Sequence, residues 1–361
     1  MNVIFDVLHL YYLPQYLPVL KTLQAASADV HFVFYKQGDE PLNQVCREVI
    51  EQEKLTATWV DDWEEALAFY LSQKADWLIF GNKVANLDEL HAVSKTVMMQ
   101  HGIGPKRCYY QNSESPTTVR FIEGQHRLKR LLDLYPDGSF IDTGYAKLDP
   151  LFQQLENSMT LESLGLDPSK KTILYAPTFY PSSIECFSKK FAKEFADFNI
   201  ILKPHFFSLT KKKYHKQRKL LENWATHDNV YLATVSDYNL IPFMAISDLM
   251  LSDASSAIFE FAALGKPVVW CDFYKLRWSY RGIFKYRFDR RIDEDIQYFN
   301  QVAYRAADYS ELVVTVRTAV DAGAKAGTAD VIEKLAGSID GHCSNRIVEY
   351  LLANTKSGSD S

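Results

Sequence analysis

The sequence predicts an α/β fold of two doubly wound, Rossmann-like domains followed by C-terminal helices. Short apolar runs alternate with longer helical patterns along the 361 residues, which is typical of parallel sheets covered by helices. The chain is longer than the roughly 250–300 residues at which a single hydrophobic core stops growing. Its hydrophobic and charged fractions, 47% and 24%, are those of an ordinary globular protein. Each of two domains can therefore form a full core.

The first half contains short apolar runs that we predict to be strands, with amphipathic segments between them. Among these segments, helices are expected at 13–26, 41–53 and 125–134. The strands are expected near 2–7, 31–36, 57–60, 77–81, 96–100, 118–123 and 139–143.

The second half contains a clearer series of strands. Each is a continuous apolar run that ends in polar or turn residues, as expected of parallel strands buried on both faces. The runs are TILYAPT at 172–178, NIILKPH at 199–205, NVYLAT at 229–234, LMLSD at 249–253 and PVVWCD at 267–272, and helices follow at 309–321, 328–337 and 344–353.

A segment rich in turn residues, 144–171, separates the two series of strands and is the predicted hinge. We therefore expect an N-terminal domain over 1–150, a second domain over 151–325, and C-terminal helices with a disordered tail over 326–361. Two such domains in tandem form the architecture of GT-B transferases.

Charge and cysteine usage exclude several classes of protein. The net charge of -5 gives no indication of a nucleic-acid partner, because such proteins usually carry a basic excess or a basic face. The five cysteines are scattered, without the spacing of a zinc site. We find no signal peptide and no uncharged apolar run of about 20 residues. A cytoplasmic protein is expected, with peripheral contact at the inner face of the cell membrane left open.

Polar residues follow the strands of the second domain, where open parallel sheets bind ligands. Ser255 and Ser256 stand where a helix should begin, so backbone N–H groups and hydroxyls can meet phosphate oxygens there. The alternative is a simple helix cap. Glu260 lies four residues after Ser256 on a buried helix and requires a partner. The other strand-end candidates are Thr178, Lys203, His205 and Asp253.

The first domain contributes the segment MMQHGIGPKR at 98–107. A buried strand ends at His101, and the glycines and proline after it allow a sharp turn before Lys106 and Arg107. A histidine that titrates near neutral pH is suited to act as a general base. The alternative is a structural histidine at the end of a strand.

Together these segments resemble the CDP-glycerol:poly(glycerol phosphate) glycerophosphotransferase family, the teichoic-acid primases and polymerases and their relatives in capsule synthesis. The resemblance covers roughly residues 95–285, with its elements in the family's order. The matching elements are HGIGPK at 101–106, GYAKLD at 144–149, ILYAPT at 173–178, Lys-Pro-His at 203–205, SDLMLSDASS at 247–256 and the pair Arg281-Gly282.

The resemblance implies an enzyme that moves a polyol phosphate from CDP-glycerol or CDP-ribitol to a hydroxyl of a glycan or polyol-phosphate acceptor and releases CMP. Lipid-linked acceptors are among those that the resemblance allows. It implies an acceptor-side first domain, with His101 as the base, and a second domain that binds the CDP donor. There His205, Lys203 and the two serines would hold the pyrophosphate. The remaining donor-side candidates are Thr178, Asp253, Glu260 and Arg281, and the acceptor-side candidates are Gly102, Lys106 and Arg107.

The sequence departs from the family pattern at two places. Ile103-Gly104 replaces Thr-Pro and the proline falls one place later, which affects the acceptor contacts. The segment after Arg281-Gly282 is basic, where many relatives are acidic. With no long N-terminal extension in the sequence, we expect a minimal transferase.

Two clusters interleave basic and aromatic residues, at 203–219 and 275–291. An anionic polymer or an anionic membrane surface would suit them, and a solvated helix face is the alternative, favoured for Lys211–Lys213. No RNA-binding motif accompanies them.

No metal site and no cofactor are predicted. The acidic triplet Asp293-Glu294-Asp295 stands beside a basic run, so we interpret it as surface charge, and a loosely bound divalent cation is left open. Two other functions also remain open: a nucleotide-sugar glycosyltransferase or epimerase of the same fold, and a non-catalytic scaffold in capsule assembly.

Overall fold

The structure is a computed structural model that describes residues 1–153, 159–276 and 293–355. These residues form two compact units. Unit 1 comprises residues 1–101, 108–153 and 333–355, and unit 2 comprises 102–107, 159–276 and 293–332. The chain thus passes from unit 1 into unit 2 for residues 102–107 and returns to unit 1 at residue 108.

Unit 1 is built on a parallel sheet, and its described strands have the order β3-β2-β1-β4-β5-β6-β7. The order reverses at β1, where Val3 is paired with Val30 on one side and with Trp77 on the other. The strands are β1 Asn2–Val7, β2 Asp29–Tyr35, β3 Ala57–Val60, β4 Trp77–Phe80, β5 Lys95–Met99, β6 Val119–Ile122 and β7 Phe140–Asp142.

Helices connect these strands, and local sequence fixes several of their ends. For example, the side chain of Asp62 accepts a hydrogen bond from the backbone N–H of Glu65 at 3.0 Å and caps α3. The helices are α1 Leu13–Ala25, α2 Glu40–Gln52, α3 Trp63–Gln73, α4 Leu87–His91, α5 Cys108–Gln111, α6 Gln125–Leu134 and α7 Asp149–Phe152.

Unit 2 is built on a second parallel sheet, with the described strands in the order β10-β9-β8-β11-β12-β13. The order reverses between β8 and β11, where Leu174 pairs with Met250. The strands are β8 Thr172–Tyr175, β9 Asn199–Leu202, β10 Val230–Leu232, β11 Leu249–Ser252, β12 Val268–Cys271 and β13 Tyr304–Ala306. Every residue of β8, β9, β11 and β12 is buried, as expected of central parallel strands.

The described helices of unit 2 cover its sheet and complete its core. Asp308 caps the longest of them, since its side chain accepts a hydrogen bond from the N–H of Glu311 at 2.9 Å. The helices are α8 Phe191–Glu194, α9 Phe206–Thr210, α10 His215–Trp224, α11 Ile241–Ile246, α12 Ala257–Ala262, α13 Phe299–Val302 and α14 Tyr309–Ala322.

Two C-terminal helices follow, α15 Thr328–Ala336 and α16 Cys343–Ala353. The sequence suggested a separate region from 326, whereas residues 333–355 cluster with unit 1. A buried carboxylate explains this attachment: Asp149 accepts hydrogen bonds from the N–H groups of Cys343 at 3.1 Å and Ser344 at 2.7 Å. The first turn of α16 is thereby fixed to unit 1.

The predicted α/β class with parallel sheets is confirmed. The predicted strands are present to within a few residues, and the structure adds β13, which was not predicted. Within the described ranges, no helix combines the length and the apolar character needed to cross a membrane.

Candidate active site

The buried carboxylate of Asp253, directly after β11, organises the loop that follows β8. It lies where the strand order of the unit 2 sheet reverses, and the residue is 1% exposed. One carboxylate oxygen accepts a hydrogen bond from the N–H of Thr178 at 3.0 Å, and the other accepts from the N–H of Ser183 at 3.2 Å. The hydroxyl of Ser183 also donates to Asp253 and accepts from the hydroxyl of Tyr175. Asp253 therefore fixes this loop to the end of β11.

Burial raises the pKa of the Asp253 carboxyl from 3.8 to about 7. The hydrogen bonds from Ser183 and Thr178 act in the opposite direction, because they stabilise the carboxylate. These contacts are those of a residue that positions the loop. A direct contact between Asp253 and a donor molecule stays a prediction.

The Lys-Pro-His segment follows β9 and is held beside the same loop. The N–H of Lys203 donates to the carbonyl of Tyr175 at 2.9 Å, and the N–H of His205 donates to the carbonyl of Pro177 at 3.3 Å. The structure thus brings Lys203, His205 and Thr178 to one edge of the sheet, as expected for the ends of neighbouring parallel strands.

The imidazole of His205 has a defined orientation at the start of α9. Its Nδ1 accepts a hydrogen bond from the N–H of Phe207 at 3.2 Å, and its ring stacks on Phe206 with 4.6 Å between ring centroids. Because Nδ1 is an acceptor, the hydrogen of the neutral ring is on Nε2. His205 can therefore donate a hydrogen bond from Nε2 to an anionic oxygen.

Ser255 and Ser256 lie at the start of α12, where the sequence placed them. The N–H of Ser255 donates to the carbonyl of Asp253 at 2.8 Å, and its hydroxyl accepts from the N–H of Ala257 at 3.3 Å. The hydroxyl of Ser255 thus acts as a helix cap, which was the alternative to phosphate binding in the sequence analysis. Within the described part of the chain, the Ser256 side chain makes no capping hydrogen bond. A phosphate contact from either serine stays a prediction.

The glycine-rich segment that follows His101 packs against this helix start within unit 2. A Cβ atom on Gly104 would lie 3.0 Å from both the N and the Cβ atom of Ser256. The carbonyl of Pro105 accepts a hydrogen bond from the N–H of Asp293 at 2.9 Å. This close approach gives the glycine at 104 a physical reason. It also joins two elements that the sequence placed in different domains.

Within unit 1, His101 follows β5 and its ring lies among tyrosines. The ring centroids of Tyr11, Tyr12 and Tyr109 are 4.7, 5.0 and 5.7 Å from that of His101. The hydroxyl of Tyr145 donates to the backbone carbonyl of His101 at 2.7 Å. These contacts restrict both the backbone and the ring of His101.

A chain of hydrogen-bonded side-chain amides orients the amide of Gln100, which lies next to His101. The side-chain oxygen of Asn82 accepts from the N–H of Lys83 at 2.9 Å and from the side chain of Asn112 at 2.9 Å. Asn112 also donates to Oε1 of Gln100 at 3.1 Å, so Nε2 of Gln100 faces Nδ1 of His101 at 3.5 Å. This arrangement favours the tautomer with hydrogen on Nε2. To accept a proton, the ring must then use Nδ1 or change tautomer.

The remaining predicted site residues differ in how exposed they are. Glu260 is 1% exposed on α12, and its N–H donates to the carbonyl of Ser256 at 3.1 Å. Gly102 is buried, whereas Lys106 and Arg107 are exposed. Arg281 lies outside the described residues, as does most of the basic cluster at 275–291.

The acidic triplet is surface charge only at Glu294, which is exposed, so that interpretation was wrong for the two aspartates. Asp293 and Asp295 are 6% and 3% exposed, and the Asp293 side chain accepts from the N–H of Asp295 at 3.1 Å. The triplet therefore begins a short 3-10 helix, residues 294–298. In the described ranges, no group of three or more His, Cys, Asp or Glu side chains is arranged to hold a metal ion.

The basic cluster at 203–219 lies partly on an exposed surface. Lys212 and Lys213 are exposed in a short 3-10 helix, and α10 buries Gln217, Leu221 and Trp224 instead of its basic residues. This is the arrangement expected of a solvated helix face. An anionic partner for it stays a prediction.

Sequence reasoning missed several residues that hold the candidates in place. Gln100 and Ser183 carry no motif. Gln100 is oriented by Asn112 and faces the neighbouring His101, whereas the partner of Ser183, Asp253, is distant in sequence. Tyr145 was included in the element GYAKLD without a role. Its hydrogen bond to His101 assigns it one.

The comparison with known families agrees with the motifs. The sequence model of the CDP-Glycerol:Poly(glycerophosphate) glycerophosphotransferase family matches residues 106–353. The chain belongs to this family. The resemblance inferred from the sequence is confirmed, although His101 and Gly102 precede the matched residues.

Curated relatives of this family match part of the chain. A teichoic acid glycerol-phosphate primase of Bacillus spizizenii is 35% identical over 142 residues, which are 39% of this chain and 36% of the primase. A teichoic acid poly(glycerol phosphate) polymerase of the same species is 32% identical over 168 residues, which are 42% of this chain and 40% of the polymerase. The match thus spans less than half of each relative.

Among solved structures, the wall teichoic acid polymerase TagF has the same fold. It superposes with a TM-score of 0.64 over 98% of this chain and 88% of TagF, at 16% identity. The GT-B-like fold predicted from the sequence is confirmed by this similarity.

Proposed function

We propose that the protein transfers a polyol phosphate from a CDP-polyol to an acceptor hydroxyl and releases CMP. The observation that carries the proposal is the group of predicted donor residues at the strand reversal of unit 2, in a chain of this family. There the Asp253-held loop, the segment Lys203–His205 and the Ser255-Ser256 helix start are neighbours. Open α/β sheets bind ligands at such a reversal.

The proposed reaction is a displacement at phosphorus. The acceptor oxygen attacks the phosphorus atom on the polyol side of the CDP-polyol pyrophosphate, and the bond from that phosphorus to the CMP oxygen breaks. CMP leaves with the electron pair of this bond, and the acceptor proton passes to His101. The products are a phosphodiester, CMP and the proton held by His101.

Electrostatic stabilisation accounts for the donor-side residues. Negative charge grows on the CMP phosphate as the bond breaks, so donors aimed at it lower the barrier. Nε2–H of His205, the Lys203 ammonium and the donors around Ser255 and Ser256 would supply this stabilisation. Asp253 would position the loop containing Thr178. Arg281, Glu260, Gly102, Lys106 and Arg107 keep the donor-side and acceptor-side roles that the family resemblance implies.

We propose CDP-glycerol or CDP-ribitol as the donor and a glycan or polyol-phosphate polymer as the acceptor, in the synthesis of teichoic acid or capsule. Transfer of the polyol phosphate to a lipid-linked acceptor would take place at the inner face of the cell membrane. The exposed lysines at 212–213 could contact its anionic surface.

The second candidate is the nucleotide-sugar enzyme that the sequence left open. The solved structure assigned as a UDP-N-acetylglucosamine 2-epimerase from Listeria monocytogenes shares the fold. Its TM-score is 0.62 over 98% of this chain and 96% of the epimerase, at 13% identity. Identity this low supports the fold only. A non-catalytic scaffold in capsule assembly would bind partners without consuming either class of nucleotide.

A donor screen separates these functions. Purified protein is incubated with CDP-glycerol, CDP-ribitol, UDP-sugars or GDP-sugars and with a glycan or polyol-phosphate acceptor, and released nucleotide is measured. Release of CMP from a CDP-polyol that depends on acceptor is expected. Consumption of a nucleotide sugar without CMP release would contradict the proposal, and no turnover of any donor would favour the scaffold.

A further inference from the structure

Unit 1 contains a cleft that the proposed reaction has not used. It lies at the carboxyl ends of β1, β2 and β4, where the strand order of the unit 1 sheet reverses, and its volume is about 390 Å³. The lining residues fall within 6–84 and so precede the residues matched by the family. The position is the one at which open α/β sheets bind ligands.

The floor of the cleft is a rigid group of polar side chains. Asp6 is 6% exposed, and one of its carboxylate oxygens accepts hydrogen bonds from the hydroxyls of Tyr35 at 2.8 Å and Tyr70 at 2.7 Å. The other oxygen accepts from the N–H of Leu8 at 3.3 Å. Because each group of this floor has a defined partner, the floor presents fixed geometry to a ligand.

The ring of Trp63 forms part of the wall and is also held in place. Its Nε1 donates to the side-chain oxygen of Asn86 at 3.0 Å, and it packs near Tyr70 and Phe80 with centroid distances of 6.2 and 6.3 Å. A fixed aromatic surface beside polar groups is suited to a ligand with an apolar face and a hydroxylated edge.

The charges around the cleft disfavour a phosphate. Lys36 pairs with Asp61 at 2.6 Å, and Lys83 pairs with Glu114 at 3.1 Å, so each lysine already has a carboxylate partner. The N-terminus of α3, which would otherwise attract an anion, is capped by Asp62. Carboxylates instead accept hydrogen bonds, and hydroxyl groups donate them.

We propose that this cleft binds an uncharged sugar unit of the acceptor. The fixed aromatic wall, the carboxylates at the rim and the capped helix start favour a neutral polyhydroxylated ring over a polyol phosphate. That the sugar belongs to the acceptor rests on the proposed function. Binding of the sugar itself does not.

Gly38 offers a direct test, because it lines the cleft and has open space around it. Among the described residues, no atom beyond its two chain neighbours would lie within 4 Å of a Cβ atom at this position, and its φ is outside the left-handed region. Gly38→Phe should therefore fold and obstruct the cleft, and Gly38→Ala is the matched control. Asp61→Ala is a second variant that removes an exposed carboxylate of the rim.

Binding of methyl β-glucoside and methyl N-acetyl-β-glucosaminide to the full chain is measured by saturation-transfer NMR. We expect dissociation constants on the order of 1 mM, as is typical of such small ligands. Gly38→Phe should weaken binding about tenfold or more, Asp61→Ala severalfold, and Gly38→Ala less than about twofold. Glycerol 3-phosphate should not displace the glycosides.

The proposal is overturned if neither glycoside binds at about 10 mM, if Gly38→Phe binds them like the natural protein, or if glycerol 3-phosphate displaces them. Affinity for CDP-glycerol is measured in parallel and should be the same in all variants. A protein that binds glycosides in a Gly38-dependent way but releases no CMP from any CDP-polyol would refute the proposed function and retain the sugar site.

Discussion

The surroundings of His101 and His205 define what each imidazole can do. Both rings have Nδ1 facing an N–H donor: the side chain of Gln100 for His101, and the backbone of Phe207 for His205. Hydrogen on Nε2 suits His205, which is proposed to donate to a leaving phosphate. For His101, hydrogen on Nε2 means that the ring can act as the base only by accepting the proton at Nδ1 or by changing tautomer first.

Replacement of His101 by alanine should remove transfer and leave donor binding nearly intact. A general base typically contributes a factor of about 10²–10⁴ to the rate, so CMP release should fall by that factor. The dissociation constant of CDP-glycerol should change less than about threefold. Release of CMP at the natural rate by His101→Ala would remove His101 from the mechanism.

Replacement of His205 by alanine should affect both steps. The loss of its Nε2–H should lower CMP release by about 10²–10³ and weaken binding of CDP-glycerol, measured by calorimetry. His215→Ala is a suitable control, because His215 is an exposed histidine at the start of α10. Equal effects of the two substitutions would count against a specific role for His205.

The buried Asp6 should make the stability of the protein depend on pH. Burial raises the pKa of its carboxyl from 3.8 to about 6, against the opposing effect of hydrogen bonds from Tyr70 and Tyr35. The folded state therefore binds the proton more tightly than the unfolded state. The resulting stabilisation is complete below about pH 4 and is lost as the pH rises through 6.

Asp6→Asn should abolish this dependence, because the amide does not titrate and the two tyrosine hydroxyls can reorient toward it. The free energy of unfolding of the natural protein, relative to that of Asp6→Asn, should fall by up to about 3 kcal/mol between about pH 4 and pH 8. Denaturant unfolding at both pH values measures it. A constant difference would show that Asp6 has an ordinary affinity for protons in the folded protein.

Among the elements, the segment 102–107 depends most on one residue. Gly104→Ala would place a methyl group 3.0 Å from the backbone of Ser256, so either this segment or the start of α12 must move. We expect the KM for CDP-glycerol to rise about tenfold. Gly38→Ala, at a position with open space, is the control and should leave the KM for CDP-glycerol unchanged. An unchanged KM in Gly104→Ala as well would show that the contact between Gly104 and Ser256 has no part in donor binding.

Element positions were predictable where local sequence decides them. The strand TILY at 172–175 is a continuous apolar run in the sequence and is buried in the structure. The polar residues after such strands were included in the predicted strands, although the ladder ends before them. β13, with the sequence YRA, was missed because it is short and contains an exposed arginine. Its pairing with β12 is a long-range effect.

The candidate site was predictable in its residue types and only partly in its contacts. Strand ends identified Lys203, His205 and Asp253, because parallel strands bring their carboxyl ends to one edge. The partners of Asp253 could not be inferred, since Ser183 is distant in sequence and carries no signal. The two buried aspartates of the triplet at 293–295 were misinterpreted for the same reason, because the N–H of Asp293 is bonded to the carbonyl of Pro105, which is distant in sequence.

For the whole molecule, the division of the chain follows tertiary contacts instead of sequence order. Residues 333–355 belong to unit 1, and 102–107 belong to unit 2. Asp149 holds the start of α16 by hydrogen bonds that span more than 190 residues, a separation that no local pattern reveals. The proposed function assigns acceptor chemistry to unit 1 and donor binding to unit 2.

The most direct test of this account follows phosphorus from donor to product. Purified protein is incubated with CDP-glycerol or CDP-ribitol and a glycan or polyol-phosphate acceptor, and the mixture is examined by ³¹P NMR. The account predicts loss of the pyrophosphate signals with equal gains of a phosphodiester and of the CMP monoester. Unchanged pyrophosphate signals with both donors, in samples where a nucleotide sugar is consumed instead, would contradict it.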